Sequence, residues 1–371
     1  MVIKVKNLLG ELSHPLVGCK VSVLIKLFIQ NKFEIKYIPR FLLIFSISLL
    51  FTPLRLLESV LYFRKLKNTK INENPIFILG HWRSGTTHLQ NLLSLDDTFG
   101  TLSTFQAISP TTSLLNLKFQ KKLVSWLLPG KRPMDNMLMS LDAAHEEEFA
   151  LGNISTLAVT HGMWFPKRLR KYFEETVLFS GNNEKHIETW KKEYLRILKK
   201  ASILSGGRPL VLKNPPNTSR IKLLIEMFPN AKFIHIYRDP FVVFPSTLRL
   251  YTKLMESRRF NTIEENEKEN IIIDYYSKIM EKYLEDKKLI AKKNLIEIKF
   301  ENFEKKPLDI LQNIYTTFDL TNYSSMKPVF ENYINSQSEY VKNQYSYSEG
   351  LRKKIASSWK KTIKLWNYNE S

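Results

Sequence analysis

Four short strand-like segments, the first three of them apolar runs, constrain the fold more than any other feature of this sequence. They occupy residues 75–79, 209–213, 231–237 and 295–299, and glycine, proline or charged residues bound them. Continuous apolar runs of this length are typical of strands that are buried on both faces of a sheet. Helical spacing over residues 218–228 separates the second run from the third. The order strand, helix, strand predicts a βαβ unit and therefore a parallel sheet.

Further helical patterns lie around these strands. They cover residues 86–95, residues 184–205, which Gly206 and Gly207 close, and residues 264–292. Another helix is predicted to begin near Pro245, whereas residues 104–179, rich in proline, methionine and aromatic residues, are predicted to be irregular. The pattern predicts a three-layer α/β domain with a parallel sheet over residues 71–371. A separate helical segment is predicted over residues 1–70.

The first strand runs into a loop with the spacing of a phosphate-binding loop. Its sequence is Gly-His-Trp-Arg-Ser-Gly-Thr-Thr over residues 80–87. Glycines let the backbone bend closely around an anion, and N–H groups at the following helix start point at its oxygens. Nucleotide-hydrolysing loops carry Lys where Thr86 stands here. A phosphoryl-transferring nucleotide kinase is therefore an alternative that the sequence disfavours. The candidate ligands in this loop are Arg83, Ser84, Gly85, Thr86 and Thr87.

A second anion-binding pair follows the third strand. Arg238 comes directly after residues 231–237, and Ser246 lies eight residues further on, at the predicted start of a helix. Parallel sheets bind ligands at the carboxyl ends of their strands. An arginine fork and a hydroxyl in that position can share one phosphate. The alternative is a surface pair between Arg238 and Asp239, with Ser246 as an ordinary helix cap.

The two motifs together resemble those of sulfotransferases that use 3′-phosphoadenosine-5′-phosphosulfate (PAPS). The resemblance is strongest to the bacterial branch that shares features with tyrosylprotein sulfotransferases, and it covers about residues 75–368. It implies a P-loop-like nucleotide-binding core in which the first motif binds the 5′-phosphosulfate. Arg238 and Ser246 are then implied to bind the 3′-phosphate. A non-catalytic membrane-associated nucleotide-binding module is the remaining alternative, which intact Arg83, Lys213, Arg238 and Ser246 disfavour.

The resemblance also implies a catalytic set. Lys213, at the end of the second strand, matches a lysine that stabilises the transition state, and Arg83 is the second cation. Many family members carry a histidine base two residues after this lysine, but Pro215 stands there in this chain. The base is therefore sought in the acidic cluster before residues 149–151, where Glu146 and Glu148 match an acidic patch of the bacterial branch. A solvated acidic helix face is the alternative.

Two further roles are predicted at the edges of the site. The resemblance implies a basic C-terminal segment over the nucleotide, in which Lys342 is a candidate 3′-phosphate ligand and a plain surface lysine is the alternative. The acceptor pocket is predicted to come from the aromatic and methionine-rich middle of the chain, which favours an apolar or amphiphilic acceptor over a polysaccharide. The predicted lining residues include Trp126, Met134, Met137, Trp164 and Phe165.

Composition limits the partners. The formal net charge of +20 favours anionic partners, although frequent Ile, Asn and Lys are also expected from an AT-rich genome. The basic residues are dispersed and no zinc-finger or RNA-binding pattern occurs, so nucleic acid is not an expected partner. The single Cys19 fits a reducing, cytoplasmic location. No histidine has the paired spacing of a metal site, and His235 is predicted to be a hydrogen-bonded core residue.

An apolar segment over residues 41–63 leaves three alternatives open. Pro53, Arg55 and Glu58 interrupt it, while lysines and arginines flank it on both sides. A crossing helix needs about 20 predominantly apolar residues. Peripheral attachment to the inner face of a membrane is favoured, followed by a helix packed on the domain and by a transmembrane span.

Overall fold

The computed structural model describes residues 13–128, 140–181, 184–337 and 348–369. Its strands are β1 (Ile76–Leu79), β2 (Val211–Lys213), β3 (Lys232–Tyr237) and β4 (Leu295–Lys299). The helices, in chain order, are α1 (Val21–Gln30), α2 (Ile38–Leu50), α3 (Thr52–Leu61), α4 (Phe63–Asn68), α5 (Thr86–Leu93), α6 (Thr104–Ile108), α7 (Lys118–Leu127), α8 (Glu147–Ile154), α9 (Thr160–Trp164), α10 (Leu169–Phe173), α11 (Glu184–Leu204), α12 (Ile221–Met227), α13 (Pro240–Arg258), α14 (Glu265–Asp286), α15 (Phe300–Lys305), α16 (Pro307–Thr317), α17 (Tyr323–Ser336), α18 (Glu349–Ser358) and α19 (Lys360–Leu365).

The four strands form one parallel sheet in the order β2-β1-β3-β4. In the register of the sheet, Ile78 of β1 pairs with Lys213 of β2 and with Ile234 of β3. The predicted strands are confirmed, with ends that differ from the prediction by at most two residues. β1, β2 and β3 were recognisable because strands covered on both faces carry apolar side chains at most positions. β4 alternates instead, with Glu297 exposed between the buried Ile296 and Ile298.

Helices cover both faces of this sheet, which confirms the three-layer α/β architecture. On one face Ile76, Ile78 and Ile234 belong to the same buried cluster as residues of α5 and of α15 to α17. On the other face His235 of β3 stacks on Tyr283 of α14, with ring centroids 3.7 Å apart. The first motif therefore emerges from the edge of a rigid, fully packed layer.

The predicted start of the helix after β3 was wrong. α13 begins at Pro240, and Pro245 lies inside it. The Asp239 carboxylate accepts a hydrogen bond from the Phe241 amide at 2.9 Å, so Asp239 supplies the start signal. Proline also fits the first helical position, where its missing N–H has no intrahelical partner. Consequently Ser246 lies in the second turn of α13, not at a helix start.

Residues predicted to be irregular contain several short helices. α6, α7, α8, α9 and α10 all fall between residues 104 and 173. The longer α11 ends as predicted, because Gly206 and Gly207 adopt positive φ angles of 68° and 80°. The Gly207 amide donates to the Ser202 carbonyl at 2.8 Å, which closes the helix.

The chain divides into two compact units. Unit 1 consists of Met1–Ile71, Thr101–Arg208 and Tyr251–Glu264, and unit 2 consists of Asn72–Gly100, Pro209–Leu250 and Glu265–Ser371. The sheet and the helices around it belong to unit 2. Unit 1 contains the N-terminal helices α1 to α4, which confirms that helices precede the sheet. The domain boundary near residue 70 stays a prediction.

Helices α2 and α3 each bury one polar side chain, Ser48 and Glu58 respectively. Glu58 of α3 is 2% exposed and forms an ion pair with Lys200 of α11, while its carboxylate also accepts the Leu114 amide at 2.7 Å. Large apolar residues of the same helices face outward, and Leu50 and Val60 are each 74% exposed. The helical run Ile35–Leu61, of 27 residues, is long and apolar enough to cross a membrane by length and composition alone.

Candidate functional site

The loop between β1 and α5 has a backbone that depends on its two glycines. Gly80 and Gly85 have φ angles of 143° and 99°. A Cβ at Gly80 would lie 2.4 Å from the Ile236 carbonyl oxygen, and a Cβ at Gly85 would lie 2.2 Å from Cδ2 of Phe300. Arg83 also has a positive φ, 72°, which is unusual for a residue with a side chain. The loop is therefore held in a specific, tightly packed conformation.

Hydrogen bonds to other residues of unit 2 and within the loop itself hold this loop in place. The Gly80 amide donates to the Thr218 hydroxyl at 2.8 Å, and that hydroxyl donates to the Gly80 carbonyl at 3.2 Å. The Ser84 hydroxyl donates to the His81 carbonyl at 2.7 Å. Ser84 and Thr86 are 1% and 4% exposed, so these hydroxyls lie inside the loop. The half-buried residues Arg83, Gly85 and Thr87 are the more accessible of the predicted ligands.

The structure brings the two sequence motifs together. Arg83 Nε donates a hydrogen bond to Ser246 Oγ at 2.8 Å, although the two residues are far apart in the chain. The Arg238 guanidinium donates to the Arg83 carbonyl oxygen at 3.3 Å. Two guanidinium groups and a hydroxyl therefore meet at the carboxyl ends of β1 and β3, a combination that favours a multiply charged anion.

Phe300 is a member of this site that sequence reasoning missed. It follows β4 directly, and its ring lies against Gly85 of the loop. The Arg238 guanidinium carbon lies 4.3 Å from the centroid of the same ring. The ring therefore contacts both motifs and supports Arg238 by a cation–π interaction. Its position after the fourth predicted strand was the one available signal, since that strand also ends at the ligand edge of the sheet.

Glu301 holds the corner after β3 and was also missed. Its carboxylate accepts hydrogen bonds from the Asp239 amide at 3.0 Å and from the Tyr368 hydroxyl at 2.8 Å. The Tyr237 ring stacks on Trp366 with centroids 4.5 Å apart. The C-terminal residues thus help to fix the backbone that carries Arg238. Burial raises the pKa of Asp239 above its ordinary value.

Lys213 occupies the end of β2 in the same sheet. It is 2% exposed and pairs in register with Ile78, two residues before Gly80. The following Asn214 and Asn217 are buried as well, and the Asn217 amide donates to the Asn214 carbonyl at 2.8 Å. Lysine is ordinarily exposed, so its burial at the end of a strand is unusual. This burial makes Lys213 a candidate functional residue.

The histidines of unit 2 are poor sources of positive charge. Burial lowers the pKa of His81, in the loop, to about 4 and that of His235 to about 3. His235 is a core residue as predicted, but among the described residues neither ring nitrogen has the predicted hydrogen-bond partner, and Nδ1 lies 3.9 Å from a Glu297 carboxylate oxygen. Arginine and lysine must therefore supply the cations of this site near neutral pH.

The acidic cluster belongs to unit 1 and its members differ in environment. Glu148 is 1% exposed and its carboxylate accepts the Val159 amide at 2.8 Å. Glu147 is fully buried and accepts a hydrogen bond from the Tyr194 hydroxyl at 3.2 Å. Glu146, immediately before α8, is half-buried and is the most accessible of the three. The alternative of a solvated acidic helix face is thus wrong for Glu147 and Glu148.

Several other predicted residues have different surroundings from those expected. Trp164 and Phe165 are 1% and 0% exposed, and the Phe165 ring packs on Phe260 with centroids 5.3 Å apart, so they belong to the core of unit 1. Trp126 is 65% exposed. Met134, Met137 and Lys342 lie outside the described residues. Within the described ranges no group of three His, Cys, Asp or Glu side chains is arranged to hold a metal ion.

Comparisons with known proteins show that this chain is similar to sulfotransferases. A protein-family sequence model described as "Sulfotransferase family" matches residues 75–325. Omega-hydroxy-beta-dihydromenaquinone-9 sulfotransferase Stf3 from Mycobacterium bovis is 29% identical over 362 residues, which are 97% of this chain and 92% of the relative. The protein of the same name from Mycobacterium tuberculosis gives the same values.

Two crystal structures share the fold. Sulfotransferase STF9 from Mycobacterium avium has a TM-score of 0.67 at 17% identity, covering 85% of this chain and 82% of that one. Sulfotransferase STF1 from Mycobacterium tuberculosis H37Rv has a TM-score of 0.65 at 17% identity, covering 90% of both chains. Since the family model spans most of the chain, including the loop, Lys213, Arg238 and Ser246, this chain belongs to the sulfotransferase family and is an enzyme that transfers sulfuryl groups.

Proposed function

We propose that this sulfotransferase takes its sulfuryl group from PAPS. In this proposal residues 80–87 bind the 5′-phosphosulfate, while Arg238 and Ser246 bind the 3′-phosphate. The observation that carries the proposal is the hydrogen bond of 2.8 Å between Arg83 and Ser246, because it joins the two motifs at one sheet edge. Lys342 is a further proposed ligand of the 3′-phosphate.

The reaction needs cations at the leaving group. An acceptor oxygen attacks the sulfur atom, and the bond between sulfur and the bridging phosphate oxygen breaks. The products are a sulfate ester, adenosine 3′,5′-bisphosphate and a proton. Negative charge builds on the departing phosphate oxygen, so positioned cations lower the barrier. Arg83 and Lys213 are proposed for this role, supported by their positions at the carboxyl ends of β1 and β2.

A carboxylate of the acidic cluster is proposed to accept the proton of the acceptor hydroxyl. Glu146 and Glu148 are the candidates, and their exposures favour Glu146. The Glu148 carboxylate is buried and bonded to the Val159 amide, which suits a structural role. A half-buried carboxylate remains able to reach a bound molecule and to exchange its proton afterwards.

The proposed acceptor is a hydroxylated, amphiphilic lipid. The curated relatives are named for a hydroxylated menaquinone derivative, and the outward apolar residues of α2 and α3 suit an enzyme that works at a bilayer. Transfer of label from PAPS to a panel of hydroxylated isoprenoid quinones, fatty alcohols and phenols tests this proposal. Label in phenols alone would contradict the proposed lipid acceptor but would still support PAPS as the donor.

We also propose that the enzyme lies on the cytoplasmic face of a membrane without crossing it. The ion pair between Glu58 and Lys200 fastens α3 to α11, and Lys65 and Lys67 in α4 can contact anionic headgroups. Release from membranes by alkaline carbonate is the expected behaviour. Retention until detergent is added would instead indicate a transmembrane helix.

The donor is tested by thermal stability. Adenosine 3′,5′-bisphosphate, the product of the proposed reaction, should raise the melting temperature because it binds the folded state alone. ATP with Mg²⁺ should raise it much less, since Thr86 replaces the lysine of nucleotide-hydrolysing loops. Equal stabilisation by ATP would contradict the proposed donor.

A further inference from the structure

An exposed apolar stripe runs along α7 in unit 1. Phe119, Leu123 and Trp126 are 59%, 40% and 65% exposed. Their spacing of four and three residues puts them on one helical face. Gln120 and Val124, on the opposite face, are 2% and 9% exposed. The helix therefore presents its larger apolar side chains outward, the reverse of an ordinary amphipathic surface helix.

The orientation of α7 is fixed by contacts on its inner face. Gln120 Nε2 donates to the Thr112 hydroxyl at 2.6 Å. The turn that contains Thr112 is also bonded to α3, because Arg55 donates to the Thr111 hydroxyl at 3.1 Å and the Leu114 amide donates to Glu58 at 2.7 Å. Helices α7 and α3, each with exposed apolar residues, are thus fastened to the same turn.

The charge around the stripe favours an anionic surface. Lys118, Lys121 and Lys122 belong to the same helix, and the sequence from Thr98 to Met134 contains no aspartate or glutamate. Lys118 and Lys122 are exposed, whereas Lys121 is half-buried with its ammonium 5.6 Å from the Phe105 ring centroid. Apolar side chains flanked by lysines are typical of helices that insert into the interface of anionic membranes.

We infer that α7 inserts its Phe119–Leu123–Trp126 stripe into the surface of a bilayer containing anionic phospholipids. The inference deepens the proposed function, since it rests on an acceptor that is a lipid of that bilayer. It assigns Trp126 to membrane contact in place of the predicted acceptor pocket. Together with α3, it gives unit 1 a lipid-binding surface of two helices attached to one turn.

Trp126 provides a direct measurement. The other five tryptophans, Trp82, Trp164, Trp190, Trp359 and Trp366, are at most 9% exposed. Vesicles of phosphatidylcholine and phosphatidylglycerol should therefore shift the fluorescence of Trp126 to the blue and protect it from acrylamide. Brominated phosphatidylcholine in the same vesicles should quench it. The full-length Trp126→Phe variant should still bind vesicles but lose these spectral changes.

Two substitutions test whether this stripe, and not exposed apolar area in general, is responsible for vesicle binding. Phe119→Ser and Leu123→Ser should each weaken vesicle binding roughly ten-fold, given the apolar area that each removes from water on insertion. Leu289→Ser is the matched control, because Leu289 is 55% exposed but lies in unit 2, and it should bind vesicles normally. Circular dichroism and melting temperature verify that the variants fold. Equal vesicle binding by all three variants would overturn the inference.

Two further outcomes are decisive. Unchanged acrylamide quenching of Trp126 on vesicles would show that α7 stays in water. A blue shift that grows with protein concentration without lipid would show that a second copy of the chain covers the stripe. Adenosine 3′,5′-bisphosphate binding is measured in parallel, because its failure would contradict the proposed donor while leaving the vesicle result interpretable.

Discussion

Replacing Gly85 with alanine tests whether the phosphate loop and Arg238 act through one aromatic ring. The new methyl would lie 2.2 Å from Cδ2 and 2.6 Å from Cε2 of Phe300. Phe300 is 8% exposed and its ring supports the Arg238 guanidinium at 4.3 Å. The ring must therefore move, and its movement disturbs both predicted phosphate subsites at once.

The magnitude has two parts. A left-handed backbone costs a residue with a side chain roughly 1–2 kcal/mol, and Gly85 has a φ of 99°. Loss of the cation–π contact between Phe300 and Arg238 adds about 0.5–2 kcal/mol. If the sum appears in donor binding, affinity for adenosine 3′,5′-bisphosphate falls between roughly ten-fold and several-hundred-fold.

Titration calorimetry with adenosine 3′,5′-bisphosphate measures this loss. Gly207→Ala is the control for the backbone alone, because Gly207 has a φ of 80° and, its chain neighbours aside, no atom of the described residues lies within 4 Å of the added methyl. It should lower the melting temperature and leave donor affinity unchanged. The double variant Gly85→Ala/Phe300→Leu should bind better than the sum of the single losses predicts, since leucine lacks the ring edge that clashes. Strict additivity, or normal binding by Gly85→Ala, would refute the reasoning.

Further predictions concern the catalytic residues and the pH dependence of stability. Arg238→Ala should weaken donor binding by roughly 1.5–3 kcal/mol, whereas Lys213→Ala should lower kcat more than it weakens binding, as steady-state kinetics and calorimetry together will show. Glu146→Gln should lower kcat roughly 10²–10⁴-fold. Glu148→Gln should lower the melting temperature and should have a smaller effect on kcat than Glu146→Gln. The reverse result would exchange the roles of the two residues. Because burial holds the pKa of His235 at about 3, below its ordinary 6.5, the unfolded chain binds the extra proton first. Its contribution to stability is complete above pH 6.5 and is lost as the pH falls towards 3, by up to roughly 1.4 kcal/mol per pH unit. His235→Phe should flatten that part of the urea-unfolding profile, and an unchanged slope would contradict the assignment.

The strands could be predicted because the parallel sheet imposes a continuous apolar pattern, and residues 231–237 follow it almost without interruption. Helix starts were harder to predict. Pro240 and Pro245 are both compatible with a first helical turn, and the side chain of Asp239 decides between them by accepting the Phe241 amide. A local hydrogen bond of this kind leaves little trace in a periodicity.

The grouping of three candidate site residues could be predicted from their motifs. Arg83, Arg238 and Ser246 were selected from two separate motifs, and one hydrogen-bonded group contains all three. Phe300 was not selected, because an aromatic residue after a strand looks like a core residue in sequence. Its contacts with Gly85 on one side and Arg238 on the other exist only in the folded chain.

The N-terminal segment shows why hydropathy alone left three alternatives open. Arg55 and Glu58 look like interruptions of an apolar surface in the sequence, yet both side chains bond to unit 1: Arg55 to Thr111, and Glu58 to Lys200. Because the Arg55 and Glu58 side chains are bonded on the inner side of α3, they leave the opposite face of this helix without charged residues. Val60, 74% exposed, lies on that outer face. A helix whose charges fasten it to the protein and whose apolar residues point outward has the distribution expected at a lipid surface, where the solvent itself is apolar.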